Sequence, residues 1–313
     1  LDRHDGRHYD RATLQRHTPE TMTMTMRSSR LPILAVLAAT VVSLPAAGDQ
    51  AKPAPAKVAA AETAPSLGIA YTISFWGIPF GHTDFQLKLR DKVYSTISNF
   101  ETSGIVSMFW QAKIEANSNG QIAANSLQPA VYDSMYQRGT NNKEQVKVTF
   151  SGASPTVEAN PPYDLAAYPV TEQEKKEAVD PLSAVTLILT GLKADPANPC
   201  GTVAPVYDGR RRYNIEFTYL KDEKTNVQTA LGKGTAHLCQ VRQHQISGYK
   251  PRILKDGKNF PPIYGWFVDV PNPGAPNGHY VVALKVWAAT GWGTVDATLS
   301  QLHVNGADLI PKG

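Results

Sequence analysis

Beyond residue 66 the chain holds five histidines (82, 237, 244, 279 and 303), two cysteines (200 and 239) and a run of three arginines (210–212). His82 and Asp84 fall on one face of an alternating stretch, the spacing of a general base and a carboxylate that orients it. A polar surface turn explains the same pair. Cys200 and Cys239 read as one disulfide if the chain is exported. Metal ligation is the rival, because His237 and His244 lie near Cys239, but the spacing matches no zinc pattern and there is no C-x-x-C. Free thiols are the third option. The disulfide is expected, and no metal.

The arginines stand in "VYDGRRRYNIEFTYL", Val206 to Leu220. As a cluster they would meet phosphate. Asp208-Gly209 is a turn signal, however, and alternation follows it. Tyr213, Ile215, Phe217 and Tyr219 then share one face, with Arg210, Arg212, Asn214, Glu216 and Thr218 on the other. The cluster is split, and Arg211 alone falls beside the aromatic face. It would stack on a ring at the sheet's rim or meet a ligand head group. The chain contains no G-x-S-x-G, P-loop, H-E-x-x-H or dinucleotide fingerprint. "GKG" at Gly232 and "GWG" at Gly291 read as turns. No catalytic residues and no cofactor are expected, and the chain is not expected to be an enzyme.

The remaining chemistry is aromatic. Trp76, Trp110, Trp266, Trp287 and Trp292 lie in or beside strand patterns. In a curved sheet one face can line an apolar cavity. The candidate ligand-lining set is Tyr71, Phe75, Trp76, Phe85, Arg211, Tyr213, Trp266 and Trp287; plain core packing is the alternative for each.

These residues need strands to position them. "LGIAYTISF" alternates, and "WGIPFG" supplies Gly77, Pro79 and Gly81 for a turn. "TDFQLKLRD" and "VYSTISNFETSG" continue the pattern. "IVSMFWQAKIEANSNG" alternates from Met108, although it fits a helical turn at its start, and its "NSNG" reads as a turn. "GTNN" joins Tyr132–Arg138 to Glu144–Phe150 as a hairpin. One helix is expected over about 180–192, with Asp180 as N-cap, Pro181 first and Gly191 at the end. Its stripe of Leu182, Val185, Leu189 and Leu192 must pack on a sheet. Beyond Cys200 strands resume, and "HYVVALKVWA" is apolar on both faces, as in a sheet covered on both sides. The fold class is mainly β: a single large curved antiparallel sheet or half-open barrel with one packed helix.

The formal charge is +4, from 31 Lys and Arg against 27 Asp and Glu. Residues 1–48 hold six arginines and four acids, so the rest carries only +2. That gives no electrostatic case for nucleic acid. "MRSSR" at Met26, the apolar run Leu31 to Leu44 and the small residues Ala46 and Gly48 form the three parts of a secretory signal, cleaved near Gly48; an uncleaved anchor is the alternative. Residues 1–25, with "TMTMTM", read as a non-native upstream extension or a disordered one. Residues 49–66 are an Ala/Pro-rich linker, and the β domain spans 67–313.

Five stretches together resemble the proteobacterial family called domain of unknown function 3108. They are "YTISFWGIPFG" (71–81), "DPLSAV" (180–185), "VYDGRRRYNIEF" (206–217), "GTAHLCQV" with "SGYK" (234–250) and "WAATGWGTVDATL" (287–299). The resemblance implies an exported envelope protein with a mostly β fold, similar in architecture to lipoprotein carriers and periplasmic lipid-binding proteins. It brings no enzymatic activity. A periplasmic protein that binds or shuttles a lipid-like ligand, or assists envelope assembly, is the first expectation. A scaffold docking other envelope proteins on its sheet surface is the second; a hydrolase is a distant third.

Overall fold

The computed structural model describes residues 66–310 apart from 109, 141, 194, 196, 197, 226–230, 232, 233 and 257–260. The segments 1–25 and 26–48, the linker up to residue 65 and the turn at Gly232 lie outside the described residues. Ser66, expected in the linker, is instead the first residue of a strand.

The first half contains β1 (Ser66–Phe75), β2 (Ile78–Arg90), β3 (Val93–Thr102), a 3-10 turn (Gly104–Met108), β4 (Ala112–Ala123), β5 (Ser126–Arg138), β6 (Asn142–Thr149) and β7 (Thr156–Asn160). Two helices follow, α1 (Glu172–Lys176) and α2 (Pro181–Leu189). The second half contains β8 (Thr202–Tyr207), β9 (Arg212–Lys224), β10 (Thr235–Ser247), α3 (Pro251–Asp256), β11 (Ile263–Pro271), β12 (His279–Thr290), β13 (Gly293–Val304) and β14 (Ala307–Ile310).

All fourteen strands join one sheet in the order β7-β6-β5-β4-β3-β2-β1-β13-β12-β11-β10-β9-β8, with β14 beside β13. Each of these neighbours is antiparallel. β7 and β8 do not pair, so the sheet is open. It is nevertheless strongly curled. α2 touches β3, β4 and β5 and also β8 and β12. Strands stand about 4.8 Å apart, so β5 and β8 would be about 48 Å apart in a flat sheet. A nine-residue helix is only about 13 Å long. The sheet must therefore wrap the helix. At the seam, the Gly209 turn lies against Val146, Val148 and Val157 of β6 and β7, and Val179 forms a parallel bridge to Val206 of β8.

Local sequence accounts for most elements. Asn305 and Gly306 both have positive φ, 50° and 86°, in the two-residue turn before β14; this is the turn type in which Asn-Gly is favoured. Two expected turns are placed differently. In "WGIPFG" only Trp76 and Gly77 turn, and Pro79 and Gly81 belong to β2. "NSNG" lies inside β4, because Gly120 is needed there for close packing: a Cβ would fall 2.2 Å from the Gln128 carbonyl oxygen and 2.7 Å from the Tyr94 hydroxyl. The chain turns at Ala124 instead. α2 matches its expected cap, with Asp180 accepting from the Leu182 and Ser183 amides and Pro181 in the first turn. α1 was not expected, although "TEQE" closes a full capping box on Thr171.

The larger core combines α2 with both halves of the sheet. β12 is buried continuously from Tyr280 to Leu284, so both its faces are covered there. A smaller core holds Phe217, Phe267, Val281 and Ala283 around Cys200 and Cys239. The two cysteines are joined, with Cα atoms 6.2 Å apart and a separation of 39 residues in sequence.

Candidate functional site

One face of β2–β6 carries cross-strand rows that begin at α2 and climb toward one end of the sheet. The lowest row is Leu87, Thr96, Ser118, Tyr132 and Val148, and all five are buried. The helix rests on it through hydroxyls. Thr96 and Thr186 hydroxyls are 2.9 Å apart, and Tyr94 and Ser183 hydroxyls 2.6 Å. Ser118 donates to the Asp180 carboxylate at 2.9 Å and lies 3.1 Å from Ser183, which also donates to Asp180. Burial raises the pKa of Asp180, opposed by the hydrogen bonds it accepts from Ser183, Ser118 and the Leu182 amide. Burial likewise pushes Tyr132 up to about 12. A buried carboxylate held this way anchors a helix; it has no access to substrate.

The next rows emerge from the core. Phe85, Ser98, Ala116 and Ser134 are followed by Thr83, Phe100, Ile114 and Tyr136. Phe85 and Ala116 are buried, Phe100 and Tyr136 half-buried, and Ile114 37% exposed. β1 shows the same gradient: Leu67 and Ile69 are buried, while Tyr71, Ile73 and Phe75 are half-buried. Two of the hydroxyls here are engaged internally, Thr83 on the Asn99 carbonyl and Ser98 on the Asp84 carbonyl. Tyr71 donates to the Ala283 carbonyl at 3.0 Å, and burial raises its pKa. The wall above α2 is thus apolar and partly open.

At the top of this wall three connections lie side by side, because β4, β3, β2, β1, β13 and β12 are consecutive in the sheet. The β1–β2 turn presents Trp76 and Ile78, 69% and 63% exposed. The β3–β4 connection presents Met108, 78% exposed, and the β12–β13 turn Trp292, 85% exposed. Trp76 is not loose. Its amide donates to the Thr294 carbonyl, its ring stacks on Phe75 at 5.4 Å, and its indole lies flat on Gly293, where a Cβ would come within 2.2 Å.

The eight lining candidates therefore separate. Tyr71 and Phe85 lie on the wall, and Phe75 and Trp76 at its upper edge. Tyr213 packs against the main core. Trp266 and Trp287 pair with ring centroids 4.8 Å apart; Trp266 also packs against the main core, and its indole donates to Glu223. Arg211 is exposed, stacked on Tyr249 at 5.6 Å. It is not on a strand face, because Asp208 accepts from the amides of Arg210 and Arg211 and holds both in the turn. Arg212, expected on a polar face, is buried and bonded to the Glu174 and Tyr213 carbonyls and the Asn214 side chain. Sequence reading missed Phe100, Ile114 and Tyr136; the alternation in "YSTISNF" and "KIEAN" was their only signal.

His237, His244, His279 and His303 form surface ion pairs or hydrogen bonds. His237 pairs with Asp222, His244 with Glu216 and His303 with Asp308, while Asp84 accepts from Asn99. Among the described residues no group of three or more His, Cys, Asp or Glu is placed to hold a metal ion.

A family model described as "Protein of unknown function (DUF3108)" matches residues 70–300. No curated protein matches the chain. Among solved structures, the crystal structure of a beta-barrel-like protein of domain of unknown function DUF1849 from Brucella abortus is similar, with a TM-score of 0.47 and 10% identity, over 77% of this chain and 98% of that one.

Proposed function

Starting from the fact that this chain belongs to the DUF3108 family, whose function is unknown, we propose that it is a non-enzymatic, exported protein of the cell envelope that binds a lipid-like apolar ligand on the wall above α2. The observation that carries this is the gradient on one sheet face. Side chains pass from fully buried at the helix to half-open Tyr71, Phe100 and Tyr136 and to exposed Ile114. Nothing in a folded monomer requires an inward row of aromatic and aliphatic groups to stay partly wet. An acyl chain laid on it would gain about 0.8 kcal/mol for each CH₂ withdrawn from water. The helix closes the floor of this space, so the ligand lies over α2 and need not displace it. The secretory pattern of residues 26–48 supports export, and a periplasmic site follows from it.

The test is native mass spectrometry and lipid extraction on the full chain, secreted by its own leader. A bound lipid mass on the wild type is expected. It should be lost from a Phe100→Ser, Ile114→Asp double variant that melts normally. A wild type with no apolar adduct, or a variant that keeps it, overturns the proposal.

A further inference from the structure

The three uncharged connections at the top of the wall and their flanks have the composition of a membrane-contacting edge. "FWGIPFG" (75–81), "TSGIVSMFWQA" (102–112) and "WAATGWGTV" (287–295) contain no Asp, Glu, Lys, Arg or His. Bases stand to either side at the same end of the sheet. Arg138 and Lys143 flank the β5–β6 connection; Lys250, Arg252 and Lys255 belong to the β10–β11 connection, with Asp256 as its acid. The acids nearest these stretches are Glu101, Asp296, Asp84 and Glu115; Asp296 is paired with Lys285 at 3.3 Å, Glu115 with Lys113 at 2.7 Å, and Asp84 accepts from Asn99. An apolar centre between basic shoulders complements an anionic bilayer, with indoles at head-group depth and bases over the lipid charge. The exposed groups sit on separate turn tips, a shape suited to entering a fluid interface.

A second observation singles out Trp76. It occupies a turn position with φ 52°, followed by Gly77 at 77°. Bulky residues are rare there, and the Asn305-Gly306 turn of the same chain shows the usual solution. A strained, exposed tryptophan clamped on Gly293 is poorly explained by folding. We infer that this edge, led by Trp76 and Trp292, docks the protein peripherally on an anionic phospholipid bilayer. No helix among the described residues is long and apolar enough to cross one.

Docking is separable from ligand retention, since the two are measured apart. The experiment is co-sedimentation of the full chain with vesicles of phosphatidylethanolamine and phosphatidylglycerol, about 3:1, and with pure phosphatidylcholine. Binding is expected on the anionic vesicles and weak on the neutral ones. Trp76→Asn, which creates a favoured Asn-Gly turn, should fold at least as well as the wild type and bind about tenfold more weakly. Trp292→Ser should do the same, and Lys250→Glu with Lys255→Glu should erase the preference for anionic lipid. The inference is overturned if the wild type ignores both vesicles, if folded Trp76→Asn and Trp292→Ser bind undiminished, or if residues 76 and 292 crosslink to one envelope protein and never to lipid.

Discussion

Asp180 is the residue on which the seating of α2 most depends, and removing its side chain has a calculable effect. The carboxylate accepts from the Leu182 and Ser183 amides and from two hydroxyls, all buried. In Asp180→Ala the hydroxyls of Ser118, Ser183 and Tyr94 still satisfy one another, at 3.1 Å and 2.6 Å. The amides do not recover. A lost N-cap costs about 1 kcal/mol, and a second amide left unpaired in a dry site about 2 kcal/mol. A loss of about 3 kcal/mol follows, or about 9 °C in melting temperature for a domain of this size. Asp180→Asn keeps the capping oxygen and should lose less than half of that. It also isolates the titration. Burial raises the folded pKa of Asp180 above its ordinary 3.8. The stabilisation from its protonated form is therefore fully present below about pH 3.8 and fades as pH rises through the folded pKa. Stability of wild type minus Asp180→Asn should thus fall as pH rises above about 3.8 and through the raised folded pKa, while shifts at groups such as Glu174 cancel in the difference. Denaturant melts across that range are the assay. An Asp180→Ala loss below about 1 kcal/mol, or a difference that rises with pH, would refute the account.

Three further outcomes follow from the packing. Reduction, or Cys200→Ala with Cys239→Ala, should lower stability by about 4 kcal/mol in the chain-entropy picture, read as a lower denaturant midpoint with a steeper slope, because the uncrosslinked unfolded chain exposes more surface. Arg211→Ala should lose no more than about 1 kcal/mol, the worth of an exposed cation–ring contact; Arg212→Ala, which orphans the Glu174 and Tyr213 carbonyls, should lose at least about 2 kcal/mol by the same melt. Gly120→Ala should lose about 2 kcal/mol, because the added methyl meets backbone that cannot turn aside, and its near-ultraviolet circular dichroism should report a displaced Tyr94.

The strand content, the open sheet, α2 and its cap were legible because each is written locally: period-two alternation, turn pairs, Asp-Pro before an apolar stripe. Errors arose where a distant contact overrides a local signal. Gly120 looked like a turn residue until Tyr94 and the Gln128 carbonyl came to occupy its Cβ position. Arg211 and Arg212 exchanged places because the Asp208 side chain extends the turn by two residues beyond the Gly. The wall was hardest to read, since half-burial of Phe100, Ile114 and Tyr136 depends on where α2 stops along the sheet, which no spacing in the strands encodes. The uncharged tips of the upper edge were read only as turns, because their adjacency follows from the β1–β13 pairing.

That pairing has a consequence in time. The sheet is two meanders, β1–β7 and β8–β13, in which every strand pairs with its neighbour in sequence. One strand contact joins them, running from Leu67–Val304 to Phe75–Val295. Local hairpins form early, and a contact spanning more than 200 residues forms late. A chain emerging from its N-terminus completes β2 to β7 while β1 still offers a bare edge. That edge waits for almost the last strand to be made. Until then it is open to a chaperone or to another copy of the same chain. A truncation at residue 292 would leave both meanders largely intact and unjoined, so its failure would appear as aggregation of structured halves and not as unfolding.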